Sequence, residues 1–138
     1  MKGFVCGTCG HIEFDQAPEK CPVCGSPKEV FAEKDAIKTE DEGKEKHVPV
    51  ITISKECSIA GEGCIDINAR IGETLHPMIP EHHIMWLDFY INKRYAARMM
   101  LTPDCNPAAT AHLKTAEGKL TVIEFCNVHG HWISEQDI

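Results

Sequence analysis

The sequence predicts a mainly β protein: an antiparallel β-sandwich or barrel preceded by a small cysteine-rich metal-binding module. Three observations carry that prediction. From residue 48 onward, short stretches rich in β-branched and aromatic residues recur, separated by Gly, Pro, Asn and Asp. No segment sustains a long helical period. Two Cys-x-x-Cys pairs lie within residues 1–31, where glycine and proline stand in place of any periodic pattern.

In chain order, the cysteine-rich stretch gives way to AEKDAIKTEDEGKEK (32–46), which is mostly charged and reads as solvated. These shifts divide the chain into a module over 1–34, a charged linker over 35–46 and a second domain over 47–138. The strand candidates of that domain are VPVITIS (48–54), IDINARI (65–71), HIMWLDFYI (83–91), RYAARMML (94–101), TAHLKT (110–115), KLTVIEFC (119–126) and HWIS (131–134). Ile65, Ile67, Ala69 and Ile71 alternate with polar residues, the period-2 sign of a half-buried strand. Asn92-Lys93 and Glu117-Gly118 suit tight turns.

Of the 138 residues, 43% are apolar and 25% charged, enough for a real core in one domain plus a small module. Apolar runs are far shorter than a membrane span, and MKGFVCGTCG lacks a signal-peptide apolar region, so a soluble, cytoplasmic protein is expected. A formal charge of −7 with no basic stripe argues against nucleic acid as a partner. An anionic substrate would need a local positive site to reach any active centre. Eight cysteines and eight histidines are the unusual totals. In a reducing compartment, closely spaced cysteines bind metal more often than they pair.

Cys6, Cys9, Cys21 and Cys24 form C-x2-C-x11-C-x2-C. Each pair lets one tight turn aim two sulfurs at one ion, and Gly10 and Gly25 permit the backbone geometry behind each turn. The set suits zinc or iron, and spacing alone favours a knuckle that only holds the fold. The segment FVCGTCGHIEFDQAPEKCPVCGSPKEVF resembles a small rubredoxin, in particular the short type attached to rubrerythrins. That resemblance implies one iron cycling between ferric and ferrous states, with zinc as the other occupant. Four thiolates without an open position suit electron transfer. His11 is expected at the surface.

The other histidines fall in three groups: EKHVP (45–49), HPMIPEHH (76–83) and CNVHGHW (126–132). Singly each is a weak signal. In this order they resemble the superoxide reductases, also called neelaredoxins or, when fused to a small iron module, desulfoferrodoxins. The resemblance covers about residues 45–132 and implies an immunoglobulin-like antiparallel β-sandwich behind a rubredoxin-like module. It implies an iron held by His47, His76, His82, His129 and Cys126. Four neutral imidazoles leave two axial positions; a thiolate on one donates electron density, and the other is open to substrate. The resemblance also implies that Lys46 attracts superoxide and that Glu45 can occupy the open position once the iron is ferric. Read without it, both residues continue the charged run.

The function implied is one-electron reduction of superoxide to hydrogen peroxide. The expected partners are superoxide, a donor such as a rubredoxin or a rubredoxin reductase, and a second copy of the chain, with neither nucleic acid nor membrane. The iron of the four-cysteine set is placed to relay the donor's electron within one subunit, across a dimer, or not at all. The alternatives are a non-catalytic iron electron carrier or redox sensor, and a zinc-stabilised binding module. His131 reads as a surface or supporting residue, and Trp86 and Trp132 as core. His112 carries no functional reading. Cys57, Cys64 and Cys105 lie outside the resemblance; of a further metal site, a Cys57–Cys64 disulfide or small apolar packing, the last is expected. Adjacent side chains on a strand point to opposite faces, so His82 and His83 are not expected to share an ion. The resemblance selects His82.

Overall fold

A computed structural model describes residues 1–57, 59–114 and 117–138. The chain begins with β1 (Lys2–Cys6), β2 (Ile12–Glu13), a 3-10 turn (Lys28–Val30) and β3 (Phe31–Asp35), which make a small sheet in the order β2-β1-β3. There follow β4 (Ile37–Lys38), α1 (Lys44–His47), β5 (Pro49–Ser54), β6 (Ile65–Ile71), β7 (Ile84–Ile91), β8 (Arg94–Met100), β9 (Ala108–Leu113), β10 (Lys119–Cys126) and β11 (Gly130–Asp137). A five-stranded sheet, β4-β11-β10-β7-β8, lies against a three-stranded one, β5-β6-β9. This is the predicted mainly β sandwich of immunoglobulin-like layering, preceded by a cysteine module. One pairing departs from the antiparallel rule: β4 runs parallel to β11.

The alternation seen in the sequence sets the inner faces. Ile65, Ile67, Ala69 and Ile71 of β6 meet Leu87, Phe89, Leu120 and Val122 of the larger sheet in one buried cluster. Asn92 and Lys93 both take positive φ, 48° and 64°, the two-residue turn that matches strand twist, and close the β7–β8 hairpin. The strand expected over 110–115 is β9, shifted toward the N-terminus; Thr115 lies outside the described residues, as does Ser58 of the inserted loop.

β7 and β10 are buried on both faces, which explains their nearly unbroken apolar runs. Tyr90, Ile123 and Ile133 point away from the sandwich core and pack against Val5, Ile12 and Phe14 of the cysteine module. The module therefore roofs the outer face of the larger sheet.

Most of residues 35–46 are exposed, as their charge suggests, but the stretch is anchored at one point. Ile37 is buried in that second core, and β4 covers the edge of β11. The N-terminal ammonium donates to the Ile37 carbonyl at 2.7 Å. An exposed strand edge offers unpaired backbone groups, and one isoleucine in a charged run is enough to anchor the chain there. Among the described residues, no helix is long and apolar enough to cross a membrane.

Candidate metal centres

Two glycine-bent turns build the first centre. Gly10 N–H donates to Cys6 C=O and Gly25 N–H to Cys21 C=O, both at 2.9 Å, so the two knuckles repeat one hydrogen-bond pattern. Cys6 Sγ lies 3.7 Å from Cys24 Sγ, and Cys9 Sγ 3.7 Å from Cys21 Sγ. All four sulfurs are unpaired by disulfides and lie within 4.8 Å of one another. Burial pushes the Cys9 and Cys21 thiols up, so a metal ion bound there would have to displace their protons. Cys24 is exposed, which leaves one corner of the centre open to a partner.

The second centre gathers five side chains from one end of the sandwich. His47 ends α1, His76 and His82 lie in the β6–β7 connection, Cys126 ends β10, and His129 sits in the turn into β11. Gly72 lets the β6 end turn against α1. Its φ is +85°, and a Cβ there would meet Lys46 backbone at 2.8 Å.

The rings form a square. Neighbouring centroids are 4.8 Å apart for His47–His76, 4.6 Å for His76–His82, 5.0 Å for His82–His129 and 4.8 Å for His47–His129. The His47–His82 diagonal is 6.4 Å, close to what a square requires. His47 Nδ1–H donates to Gly43 C=O at 2.9 Å and His76 Nδ1–H to Pro77 C=O at 2.7 Å. Their Nε2 atoms, with that of His82, are buried and have no protein partner. His129 instead turns Nδ1 toward Cys126 Sγ, at 3.7 Å. The Cys126 sulfur accepts the His129 backbone N–H at 3.3 Å.

Burial holds His47, His76 and His82 below the ordinary histidine range, His76 at about 4. At His82 the charges of His129 and Lys46 add to that effect. The rings are therefore neutral near pH 7, with lone pairs facing inward, which is the state a metal needs. Burial also raises the Cys126 thiol, while the Val128 and His129 N–H groups oppose that rise. Cys126 is fully buried, whereas His129 is exposed and brings solvent to the edge of the square. Four imidazole nitrogens and one sulfur fit a transition metal such as iron.

Outer contacts hold the ligands. Trp132 stacks on His47 at 4.7 Å, and its Nε1–H donates to His129 C=O at 3.2 Å. Lys38 Nζ donates to the same carbonyl at 2.9 Å. Lys38 was hidden inside the charged run; its pairing with Trp132 through β4 is a tertiary event. Glu124, two residues before Cys126, also escaped the sequence reading. It is fully buried, neither carboxyl oxygen has a protein partner, and burial raises it well above the usual carboxylate range. A lone acid inside KLTVIEFC was the available signal.

Lys46 and Glu45 are exposed on α1. Glu45 lines a cleft of about 580 Å³ with Lys44, Val48 and Ser134. His83 stands outside the five-residue set; its Nδ1 is buried without a partner. His11 is not at the surface. It is fully buried, 2.9 Å from Glu13 and 3.7 Å from Asp88, beneath the module. His131 is buried too, and its Nε2–H donates to Gly10 C=O at 2.9 Å. His112, expected to have no role, lies with Cys57 and Cys64 in a third group.

A family model for desulfoferrodoxin matches residues 39–135, and one for the rubredoxin-like domain of rubrerythrin matches residues 4–32. A desulfoferrodoxin of Syntrophotalea carbinolica is 34% identical over 98% of this chain and 96% of its own length. A superoxide reductase of Pyrococcus abyssi is 35% identical over 74% of this chain and 95% of its own. The crystal structure of the superoxide reductase from Treponema pallidum superposes with a TM-score of 0.66 at 28% identity, over 97% of this chain and 98% of that one. Both matched families imply iron centres, in keeping with the two ligand sets.

Proposed function

Since this chain belongs to the desulfoferrodoxin family, we propose that it is a superoxide reductase: superoxide takes up one electron and two protons and leaves as hydrogen peroxide. The observation that carries this reading is the square of four imidazoles gathered with one buried thiol. Iron held by His47, His76, His82, His129 and Cys126 would supply the electron. Cys6, Cys9, Cys21 and Cys24 would hold a second, rubredoxin-type iron that passes electrons on, with zinc as the alternative occupant.

Lys46 supplies the positive charge that draws an anion to an acidic protein, and its effect on His82 supports that place. Glu45, beside it, would be the carboxylate available to the iron once it is ferric. The donor is a rubredoxin or a rubredoxin reductase, the working unit a homodimer and the compartment the cytoplasm, where ligand thiols stay reduced. The four-cysteine module over 1–34 and the reductase domain over 47–138 divide the work, with 35–46 between them. A relay within one chain is supported by contact: Gly10 lies on Trp86, Trp86 stacks on Phe125 at 4.4 Å, and Phe125 precedes Cys126.

The test is a superoxide pulse on reduced, metal-analysed protein, following oxidation of the histidine-ligated iron. One peroxide per superoxide is expected. Oxygen released at half the superoxide consumed would indicate dismutation instead, and iron oxidation without peroxide an electron carrier. Lys46→Ala should slow the reaction and flatten its salt dependence; an unchanged rate and salt slope would remove Lys46 from the mechanism.

A further inference from the structure

The loop between β5 and β6 carries chemistry that neither iron centre uses. Cys57 and Cys64 bracket it, and Asp66 and His112 face each other as cross-strand partners on β6 and β9. Ile65 and Ile67 of β6 point into the core, so Asp66 points out. Ala111 and Leu113 of β9 pack on the core, so His112 points out on the same face. The cysteines close over that face: Cys57 Sγ and Cys64 Sγ each lie 3.4 Å from His112 Nδ1. Asp66 Oδ1 lies 2.9 Å from the same nitrogen.

One imidazole nitrogen has either one N–H or one lone pair, so it cannot satisfy three partners. Asp66 Oδ1 is buried and, despite its distance, has no hydrogen-bond partner. His112 Nδ1 is within hydrogen-bond reach of both sulfurs at once and can satisfy only one of them, whereas a cation between them would be held by both sulfurs and the nitrogen together.

We propose that Cys57, Cys64 and His112 bind a third metal ion, a zinc ion, with the Asp66 carboxylate beside the imidazole. Two thiolates and one imidazole are ordinary zinc donors. The site lies at the Ile65 end of β6, whereas the histidine centre lies beyond the Ile71 end, roughly 20 Å away along the strand. Its role is therefore structural: it pins the loop to the outer face of the three-stranded sheet, and its binding energy offsets the entropy of closing that loop.

The test uses the full chain with both iron centres loaded and verified by their absorption. Zinc is added, excess is removed, and metals per chain are counted. One zinc beside the two irons is expected. Cys57→Ser, Cys64→Ser and His112→Ala should each lose the zinc with both iron spectra unchanged, and Cys105→Ser should keep it. Cobalt offered in place of zinc should add a thiolate charge-transfer band in the wild type that Cys64→Ser lacks. The proposal fails if the iron-loaded wild type holds no zinc, if the three variants retain it, or if anaerobically prepared protein carries a Cys57–Cys64 disulfide and refuses the ion.

Discussion

Arg98 ties the cysteine module to the sandwich, and the cost of removing it follows from its contacts. Its guanidinium grips Asp88 through two bonds, of 2.5 and 2.7 Å, and both side chains are almost fully buried, at 7% and 1% exposure. A third N–H reaches Cys9 C=O at 2.8 Å, and the guanidinium lies 4.4 Å from the Trp86 ring centroid. Arg98→Ala removes the guanidinium from a buried carboxylate and leaves it with His11, 3.7 Å away, which costs up to about 3–5 kcal/mol. The lost bond to Cys9 adds about 1 kcal/mol at most. At about 3 °C per kcal/mol for a chain of this size, the melting temperature falls by roughly 9–18 °C.

Thermal unfolding of the iron-loaded chain by circular dichroism reads this directly. Asp88→Leu combined with Arg98→Met should recover all but about 1–2 kcal/mol, because no charge is left stranded. A loss below about 1 kcal/mol for Arg98→Ala, or a double variant no more stable than the single, would refute the argument. Acidity gives a second check through His11. Burial opposes its charge, but Asp88 and Glu13 outweigh that and raise its pKa. The stabilisation is full below the unfolded value of about 6.5 and is lost as pH rises through the raised folded value. Asp88→Leu should shrink that dependence.

Three further outcomes are expected. His82→Ala should lower iron retention at the histidine centre beyond the roughly 10–100-fold that outer partners contribute, while His83→Ala keeps the iron and its spectrum; metal analysis with absorption decides, and the reverse pattern overturns the assignment. Glu124→Gln should match the wild type below the unfolded carboxylate value of about 4.3 and become relatively more stable above it, by up to about 1.4 kcal/mol per pH unit until the raised folded value is reached. Denaturant melts across pH test this, and parallel curves would show that Glu124 is ionised in the fold. Gly10→Ala places a Cβ 2.6 Å from Trp86 at a φ of +76°. It should cost at least about 1–2 kcal/mol and slow electron delivery from the module, leaving the histidine-centre spectrum unchanged; stopped-flow re-reduction checks it.

Much of this protein was legible in its sequence because the signals are local. Two residues between cysteines define a knuckle wherever the chain goes, and alternation in IDINARI fixes which side of β6 is buried. The family resemblance of the ordered motifs EKHVP, HPMIPEHH and CNVHGHW, rather than any one of them, picked out five residues whose ligand atoms the fold brings within 4.8 Å of one another. What only the tertiary structure decided depends on surfaces meeting across long separations. His11 looked like a surface residue because nothing near it in sequence shows that Asp88 and Tyr90 will cover it. The run 32–46 looked solvated because charge dominates composition, yet Ile37 and Lys38 answer to the edge of β11, about a hundred residues away. Cys57, Cys64 and His112 carried no shared signal, because their spacing obeys no turn. They meet only because β6 and β9 pair in a register that sets Asp66 opposite His112. Local stereochemistry writes itself into spacing, whereas packing between distant elements is set by which buried faces find each other.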